Sequence, residues 1–550
     1  MRRLLFFLVG LAWSQDFSRG NGWEAYSSPE GWTQEREVLG QALKTKLNRE
    51  GPSGLKPKGA TEREFRTWQW LGEWPILQGQ SARELAELGK NPELVRAYLE
   101  NITPEDRRAE ALRILTQMQT DAPQEVQDLP RLAVALALVF DQPFPRNWPH
   151  SQVPISAVPR EGVDPVARLK EMAQLQSKRR YAFDLPDLTV SELKFLVDHP
   201  LPESEMEWAR KNVTTSRSSF DKVFPSIRYD FARLQAGVIT WPYPNYRLAD
   251  IKEKGGICVD QGYFAAMAGK GRGLPTLFFT GQGDSGGHAW FGYLDAPGRW
   301  VTDCGKYAEE NYPVGVALDP QTWKPITDTE LIFLAKGRER SEGFRQARLW
   351  TDYASAMGLE EGRKFVEAAL ALQPEFLPGW MVQAGWMEKV GDPQANEEFW
   401  NSFVKRFARY PDLRVLAQEK LLGLAKSKGD TQLAKNLERQ ILVQNRTKRF
   451  DLSIGATASQ VGEKIEAGDW AGAETAYRQA LREFKGQSGG HLFYGLVAPF
   501  VETALAEGQG KVAKNALQEA KRMLKAGKET LVGQALTKLE ALVKESPAGN

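Results

Sequence analysis

Four glycines recur at nearly equal intervals in the last third of the chain and constrain its fold more than any other feature. Gly391, Gly429, Gly468 and Gly508 are separated by 38, 39 and 40 residues, each near an amphipathic segment that contains alanine. A period of this length is typical of helical repeats, in which stacked helix pairs bury apolar faces that one pair alone leaves exposed. An ordinary helical bundle whose helices end in glycine is the alternative. The pattern predicts a helical-repeat domain over residues 336–550.

The length and charge of the chain bound its class. At 550 residues it is too long for one ordinary core, so three or four domains are expected. Its 72 basic and 70 acidic residues leave a net charge of only +2. This balance offers no strong field to gather nucleic acid or anionic lipid, and no nucleic-acid partner is predicted.

Residues 1–14 have the pattern of a signal peptide. Arg2 and Arg3 precede an apolar run from Leu4 to Leu11, and small residues follow at cleavage-site spacing. The run is much shorter than the roughly 20 residues that cross a bilayer, so no integral membrane span is predicted. A buried N-terminal helix is the alternative. The segment predicts an exported protein, either periplasmic or secreted.

The region that follows, residues 15–175, is predicted to be mainly helical. Arg83–Leu88 and Arg108–Arg113 have helix-forming composition with polar faces. Six prolines between residues 143 and 166 cannot continue a helix. That stretch is predicted to be an extended linker.

The pattern changes between residues 255 and 303, where it predicts one helix followed by three strands. Gly255 and Gly256 end the preceding segment, and apolar residues at helical spacing follow from Val259. The strands are expected at Leu277–Thr280, His288–Leu294 and Arg299–Asp303, the last two joined by a turn at Asp295–Gly298.

Cys258 stands at the start of the predicted helix. A thiol at a helix N-terminus faces the positive end of the helix dipole, which favours the reactive thiolate. The glycine pair at Gly255 and Gly256 is expected to allow close approach by a substrate backbone. A buried structural cysteine is the alternative.

His288 opens the second strand and Asp303 closes the third. A hairpin centred between Asp295 and Ala296 would place the two residues directly opposite each other on one face of the sheet. The imidazole would then take the proton of Cys258, while the carboxylate fixes the imidazole tautomer. The arrangement predicts a catalytic triad of Cys258, His288 and Asp303.

The glycine-rich loop before His288 contains two strings known from other enzymes. Gly283–Gly287 matches the surroundings of the nucleophile in chymotrypsin-like proteases, but those are all-β double barrels. Gly281–Gly286 matches a dinucleotide-binding string, but that motif must open a helix and this one precedes a strand. The loop is therefore interpreted as a flexible wall of the active-site cleft. The remaining histidines show no metal-ligand spacing, and neither metal nor cofactor is predicted.

Three segments of this region resemble the signature segments of the transglutaminase-like superfamily. They are Gly256–Gln261, His288–Trp290 and Arg299–Asp303. The resemblance implies a papain-like α+β core, here over residues 176–335, flanked by mainly helical domains. It also implies Cys258 as nucleophile, His288 as general base and acid, and Asp303 as the residue that orients the histidine. The implied reaction is attack on an amide carbonyl to give a thioester, which water or an amine resolves. The C-terminal period likewise resembles degenerate tetratricopeptide-type repeats.

No motif fixes the group that would stabilise the oxyanion. The backbone N–H of Cys258 and a side chain of the preceding segment are expected to do so, with Gln235, Trp241 and Tyr246 as candidates. Asp303 is followed by Cys304 rather than by the proline often found in the family.

Cys304 offers an alternative to the triad because it is the only other cysteine. In an oxidising compartment it could pair with Cys258 and make that residue structural. Strand parity argues against this, since Cys304 should point away from the face that carries Asp303 and His288.

Two functions are compatible with these residues. The first is an exported cysteine enzyme that acts on a peptide, isopeptide or cell-wall amide, with hydrolysis favoured over crosslinking because water needs no acceptor site. The repeats would then present a surface to a protein partner. The second is an inactive scaffold of the same fold, whose repeats bind a protein or cell-envelope partner.

Overall fold

The computed structural model describes residues 29–76, 82–160, 162–335, 341–486, 489–528 and 530–545. Within these ranges the chain is mostly helical and contains one five-stranded antiparallel sheet. None of the helices found there is both long and apolar enough to cross a membrane. The signal peptide predicted at residues 1–14 lies outside the described residues.

The N-terminal region is helical, as predicted. Helix α7 is apolar on all sides and buried from Leu132 to Val139, so it occupies the centre of the core. The helices of this region are α1 (Pro29–Glu50), α2 (Ala60–Leu71), α3 (Ala82–Gly89), α4 (Pro92–Asn101), α5 (Arg108–Asp121), α6 (Pro123–Asp128), α7 (Pro130–Phe140) and α8 (Pro165–Ser177).

The proline-rich stretch at 143–166 is extended apart from short turns, but it does not link separate bodies. The carbonyl of Gln152 accepts a hydrogen bond from the Trp241 N–H at 2.8 Å, and that of Ala157 accepts one from the Tyr246 N–H at 2.7 Å. The stretch therefore lies along the segment that leads to Cys258. Because it forms no helix there, the backbone N–H groups that its prolines lack are not needed.

Five helices precede the central sheet in the chain. The last of them begins at Cys258 and is buried from Val259 to Gly271. It packs against the first two strands of the sheet, so the predicted helix is the central helix of this part of the molecule. The five are α9 (Val190–Val197), α10 (Glu203–Asn212), α11 (Phe231–Gln235), α12 (Leu248–Lys254) and α13 (Cys258–Gly271), with an irregular helical segment at Arg217–Ser226.

The sheet contains the three predicted strands and two short ones that the sequence did not indicate. Its order is β3-β2-β1-β4-β5, and all neighbours are antiparallel. The strands are β1 (Thr276–Gln282), β2 (Gly287–Ala296), β3 (Arg299–Cys304), β4 (Val316–Leu318) and β5 (Pro325–Thr327).

The hairpin of β2 and β3 forms, but its predicted register is wrong. Ala296 pairs with Arg299, and Phe291 pairs with Cys304. The turn is centred on Pro297 and Gly298 because Gly298 adopts the left-handed conformation, with φ of 76°, that this turn requires. His288 consequently lies beyond the paired part of β3.

The C-terminal region is helical in all its described parts, and the periodic glycines end helices there. Gly391, Gly429, Gly468 and Gly508 have φ between 70° and 74°, a backbone conformation that favours glycine at a helix end. The helices are α14 (Asp328–Ala335), α15 (Glu342–Met357), α16 (Leu359–Leu372), α17 (Leu377–Val390), α18 (Pro393–Arg406), α19 (Pro411–Ser427), α20 (Thr431–Asn445), α21 (Phe450–Glu466), α22 (Trp470–Glu483), α23 (Gly489–Leu492), α24 (Ala498–Ala506), α25 (Gly510–Leu524) and α26 (Leu531–Glu545).

The hydrophobic cores do not follow the predicted domain boundary near residue 175. One core extends from Trp32 through the central sheet to Trp386. A second joins helices α17 to α20 around Phe403, and a third spans Phe450 to Leu539. The N-terminal helices and the sheet therefore share one core, whereas the helices from α18 onward lie in the other two.

Candidate active site

Two glycines position the start of helix α13. Gly255 has φ of 80°, and a Cβ added there would lie 2.5 Å from the carbonyl oxygen of Arg228. A Cβ at Gly256 would clash with the side chain of Asp260. The Gly256 N–H donates to the Arg228 carbonyl at 3.0 Å. The backbone that closely approaches these glycines is therefore the protein's own. The sequence had suggested a substrate backbone at this position.

Replacing Gly255 by alanine is expected to destabilise the fold by more than about 1 kcal/mol, because the new Cβ meets both an unfavourable φ and a backbone carbonyl. The matched control is Gly385→Ala, since Gly385 lies inside helix α17 with nothing within 4 Å of the added Cβ. That change should be neutral or slightly stabilising. Thermal unfolding of the two variants checks this, and equal midpoints would contradict it.

Cys258 lies at the first position of α13 and against strand β2. Its partly exposed side chain packs against a small apolar cluster that includes Ala289, to which Tyr229 and Phe278 also contribute. The backbone N–H of Ala289 lies close to the thiol and opposes the rise of its pKa. The nucleophile candidate is thus in contact with the residue that follows His288 in β2. Cys258 and Cys304 are both free thiols, and Cys304 is buried.

The imidazole of His288 is held by a backbone carbonyl. Its Nε2 lies 2.7 Å from the carbonyl oxygen of Gly305, and its ring stacks on Tyr307 with centroids 3.9 Å apart. A carbonyl only accepts hydrogen bonds, so Nε2 carries the proton and Nδ1 keeps its lone pair. Nδ1 is therefore the atom of His288 that can act as a base.

Asp303 does not orient His288, contrary to the prediction from the sequence. Because of the altered hairpin register, its side chain is exposed and makes no hydrogen bond with the imidazole. The Gly305 carbonyl occupies the position that the triad assigned to the Asp303 carboxylate. The structure brings Cys258 and His288 onto adjacent elements but leaves Asp303 outside the pair.

Burial sets the protonation of the pair. It raises the pKa of the Cys258 thiol to about 11, an effect that hydrogen bonding from the Ala289 N–H opposes and the Asp260 carboxylate reinforces. Burial also lowers the pKa of His288, against the hydrogen bond to Gly305. The resting pair near neutral pH is thus a neutral thiol and a neutral imidazole, and the expected activation of the thiol by the helix N-terminus is outweighed.

The raised pKa predicts slow alkylation of Cys258 near neutral pH. A thiol that titrates near pH 11 is less ionised at pH 8 than an ordinary cysteine, so iodoacetamide should react at least about tenfold more slowly than with free cysteine. The rate should increase through pH 9 to 11. Mass spectrometry of the Cys304→Ser variant over this pH range measures it. A rate midpoint at or below about pH 8.5 would contradict the burial argument.

Two of the three candidate oxyanion donors are engaged elsewhere. The indole N–H of Trp241 donates to the carbonyl of Asn245 at 3.0 Å, and the hydroxyl of Tyr246 donates to Asp260 at 2.9 Å. Gln235 is exposed at the end of α11. These contacts do not direct any of the three toward Cys258.

Two tyrosines that the sequence reasoning missed lie at the thiol. The hydroxyl of Tyr229 lies close to the backbone N–H of Cys258 and to Tyr307, and both neighbours influence its pKa. Burial raises the pKa of both phenols, so both stay protonated. A phenol O–H beside a backbone N–H is a suitable pair of donors for an oxyanion. Neither tyrosine belongs to a helix or strand, so no periodic pattern indicated it.

A buried network lies beneath the start of α13. The Asp260 carboxylate, with an exposed fraction of 0%, accepts hydrogen bonds from the Ile257 N–H at 2.8 Å and from Arg233 at 2.6 Å. It also accepts the Tyr246 hydroxyl, which in turn lies 3.0 Å from Nε2 of His150. Because burial lowers the pKa of His150 to about 3, this imidazole is neutral. The network fixes the N-terminal turn that carries Cys258.

The other histidines lie apart from one another and from Cys258. His199 is buried and contacts Arg168, while His491 packs against Phe450 in the repeats. No group of three or more histidine, cysteine or acidic residues suited to a metal ion lies in the described parts of the chain.

Comparisons of the chain with protein-family models, with curated proteins and with solved structures give no match. The geometry of the site is therefore the basis for assigning a function. Its central feature is the thiol of a helix start that lies next to Ala289, the residue after a strand histidine.

Proposed function

We propose that this chain is a cysteine enzyme that cleaves an amide bond through a thioester, with a papain-like, transglutaminase-like core and tetratricopeptide-like repeats. The observation that carries the proposal is the contact of Cys258 with Ala289, directly after His288 in β2. A thiol and an imidazole with an available nitrogen, carried by adjacent elements, supply the minimal pair for nucleophilic catalysis. The helix packed on an antiparallel sheet and the glycine-ended helices support the fold assignment.

The neutral resting pair favours proton transfer during attack. Nδ1 of His288 takes the proton of Cys258 as the sulfur forms a bond with the amide carbonyl carbon. The Cys258 N–H and the Tyr229 O–H stabilise the resulting oxyanion. Collapse breaks the C–N bond, and the leaving amine takes the proton from Nδ1. The products of this half-reaction are a free amine and a thioester on Cys258.

Water resolves the thioester in the second half-reaction. His288 removes a proton from water as the water oxygen attacks the carbonyl, and it returns that proton to sulfur as the C–S bond breaks. A carboxylic acid leaves and the thiol is restored. Hydrolysis is favoured over transfer to an amine because water needs no dedicated acceptor site.

Trapping the acyl-enzyme tests the proposal. The wild-type protein is mixed with a library of peptide amides and isopeptides, quenched with acid and measured by intact mass spectrometry. We expect an acyl adduct on Cys258 that hydroxylamine removes, no adduct on Cys258→Ala, and an unchanged adduct on Cys304→Ser. An adduct on neither cysteine, together with no cleavage, would speak against the enzyme.

An inactive scaffold is the second candidate, and one observation favours it. The Tyr229 hydroxyl lies next to the N–H of Cys258, where an oxyanion would have to bind. In a scaffold this contact would be permanent, and the repeats would bind a protein or cell-envelope partner. In an enzyme the phenol shifts to donate to the substrate oxygen, so Tyr229→Phe should slow acylation.

A further inference from the structure

An open cavity of about 450 Å³ lies between the loop that follows β3 and the loop that precedes α21. Its lining includes Asp303, Lys306, Tyr307 and Tyr312 on one side and Lys448 and Phe450 on the other. Tyr307 stacks directly on His288, and the ring of Tyr312 lies 5.6 Å from the same imidazole. The cavity is thus separated from the catalytic base by a single layer of aromatic rings.

The wall formed by the repeats is tied to helix α14. Arg449, between Lys448 and Phe450, is buried and binds both carboxylate oxygens of Asp412 at 2.6 and 2.7 Å. It also donates to the hydroxyl of Thr329, at the start of α14, at 3.2 Å. Lys448 and Phe450 therefore have fixed positions relative to the site.

The charged side chains of the cavity are not neutralised by one another. Asp303 and Lys448 are exposed, and neither side chain makes an ion pair or hydrogen bond with the described residues. The ammonium of Lys306 lies over the rings of Trp290 and Tyr312 at 5.3 and 5.9 Å. Because Glu310 also lines the cavity, it offers two cations and two carboxylates, close to the base, to a bound molecule.

We propose that this cavity binds the part of the substrate next to the scissile amide, a short peptide segment that carries both a carboxylate and an ammonium group. Lys306 and Lys448 receive the carboxylate, Asp303 receives the ammonium, and the tyrosine rings contact the peptide backbone. This assignment rests on the proposed function. It makes the repeats one wall of the substrate site, with Lys448 a specificity-determining residue supplied by them.

Binding of labelled peptides to the full-length Cys258→Ala protein tests this assignment without turnover. Four fluorescein-labelled pentapeptide amides are compared by anisotropy at low salt: one with glutamate and lysine, one with glutamate, one with lysine and one with neither. We expect the peptide with both charges to bind most tightly. Lys448→Glu should weaken binding of both glutamate peptides about five- to tenfold, because it replaces attraction by repulsion, and should leave the neutral peptide unchanged.

Lys435→Glu is the matched control, since Lys435 is an exposed lysine of α20 that does not line the cavity. It should leave all four affinities unchanged. Equal affinities for the four peptides, or equal effects of the two lysine variants, would overturn the assignment. Failure of the enzyme proposal can be distinguished from failure of this assignment. In that case the wild-type protein shows no acylation of Cys258, while charge-dependent peptide binding persists.

Discussion

Replacing His288 by glutamine is expected to lower kcat for amide cleavage by about 10²- to 10⁴-fold, the usual contribution of a general acid and base. The glutamine amide can still donate to the Gly305 carbonyl, which holds Nε2 of the imidazole at 2.7 Å. The glutamine side chain has no basic nitrogen at the position of Nδ1. Since the thiol of Cys258 is neutral at rest, its proton then has no acceptor as attack begins.

The measurement is kcat for a peptide amide identified by acyl-enzyme trapping, together with the thermal unfolding midpoint. Asp295→Asn serves as control, because Asp295 lies on the same hairpin at its far end and makes only a surface ion pair with Arg299. It should change neither quantity appreciably. A loss of less than tenfold in His288→Gln, with an unchanged midpoint, would remove His288 from the proposed mechanism.

The element types around the site could be predicted because their signals are local. Gly255 and Gly256 mark the start of α13, and the short apolar run after His288 marks a strand. Cys258 and His288 could be paired from these signals, since a helix and the strands that follow it pack together. The same holds for the C-terminal helices, several of which end at a glycine with positive φ.

The register of the hairpin could not be predicted with the same security. Asp295–Gly298 contains two possible turn centres, and the structure uses the one at Pro297 and Gly298. A small change in the turn shifts every cross-strand pair. Asp303 is therefore not opposite His288, and the carbonyl of Gly305 is the hydrogen-bond partner of the imidazole instead. The nearby tyrosines come from irregular segments, where no periodicity exists to reveal them.

The protonation state of Cys258 could not be predicted from the sequence either, because it depends on the burial of the thiol. The helix start favours a thiolate, but burial against the apolar cluster around Ala289 removes water from the sulfur. Contacts between segments that are far apart in the sequence could not be predicted from it either. The Gly490 N–H of the repeats donates to the Gly283 carbonyl at 3.0 Å, and Leu531 packs on Gly286. The loop expected to be a flexible wall is therefore held by the repeats.

Replacing Asp260 by alanine is expected to destabilise α13 by about 3–5 kcal/mol, the cost of leaving one partner of a buried ion pair uncompensated. Arg233 lies 2.6 Å from this carboxylate and is itself buried, so its charge would have no carboxylate partner at that position. The Ile257 N–H and the Tyr246 hydroxyl would lose their acceptor as well. Hydrogen exchange of the α13 amides measures the local free energy of opening.

The double variant Asp260→Ala with Arg233→Met separates the charge from the rest of the network. Removing both charges should recover part of the loss, because the penalty arises mainly from an unpaired guanidinium. Asp250→Ala, on the preceding helix α12, is the control and should change stability by less than about 0.5 kcal/mol. If the double variant is no more stable than Asp260→Ala alone, the carboxylate stabilises α13 through its hydrogen bonds to Ile257 and Tyr246, and Cys258 is positioned by the helix cap more than by the ion pair.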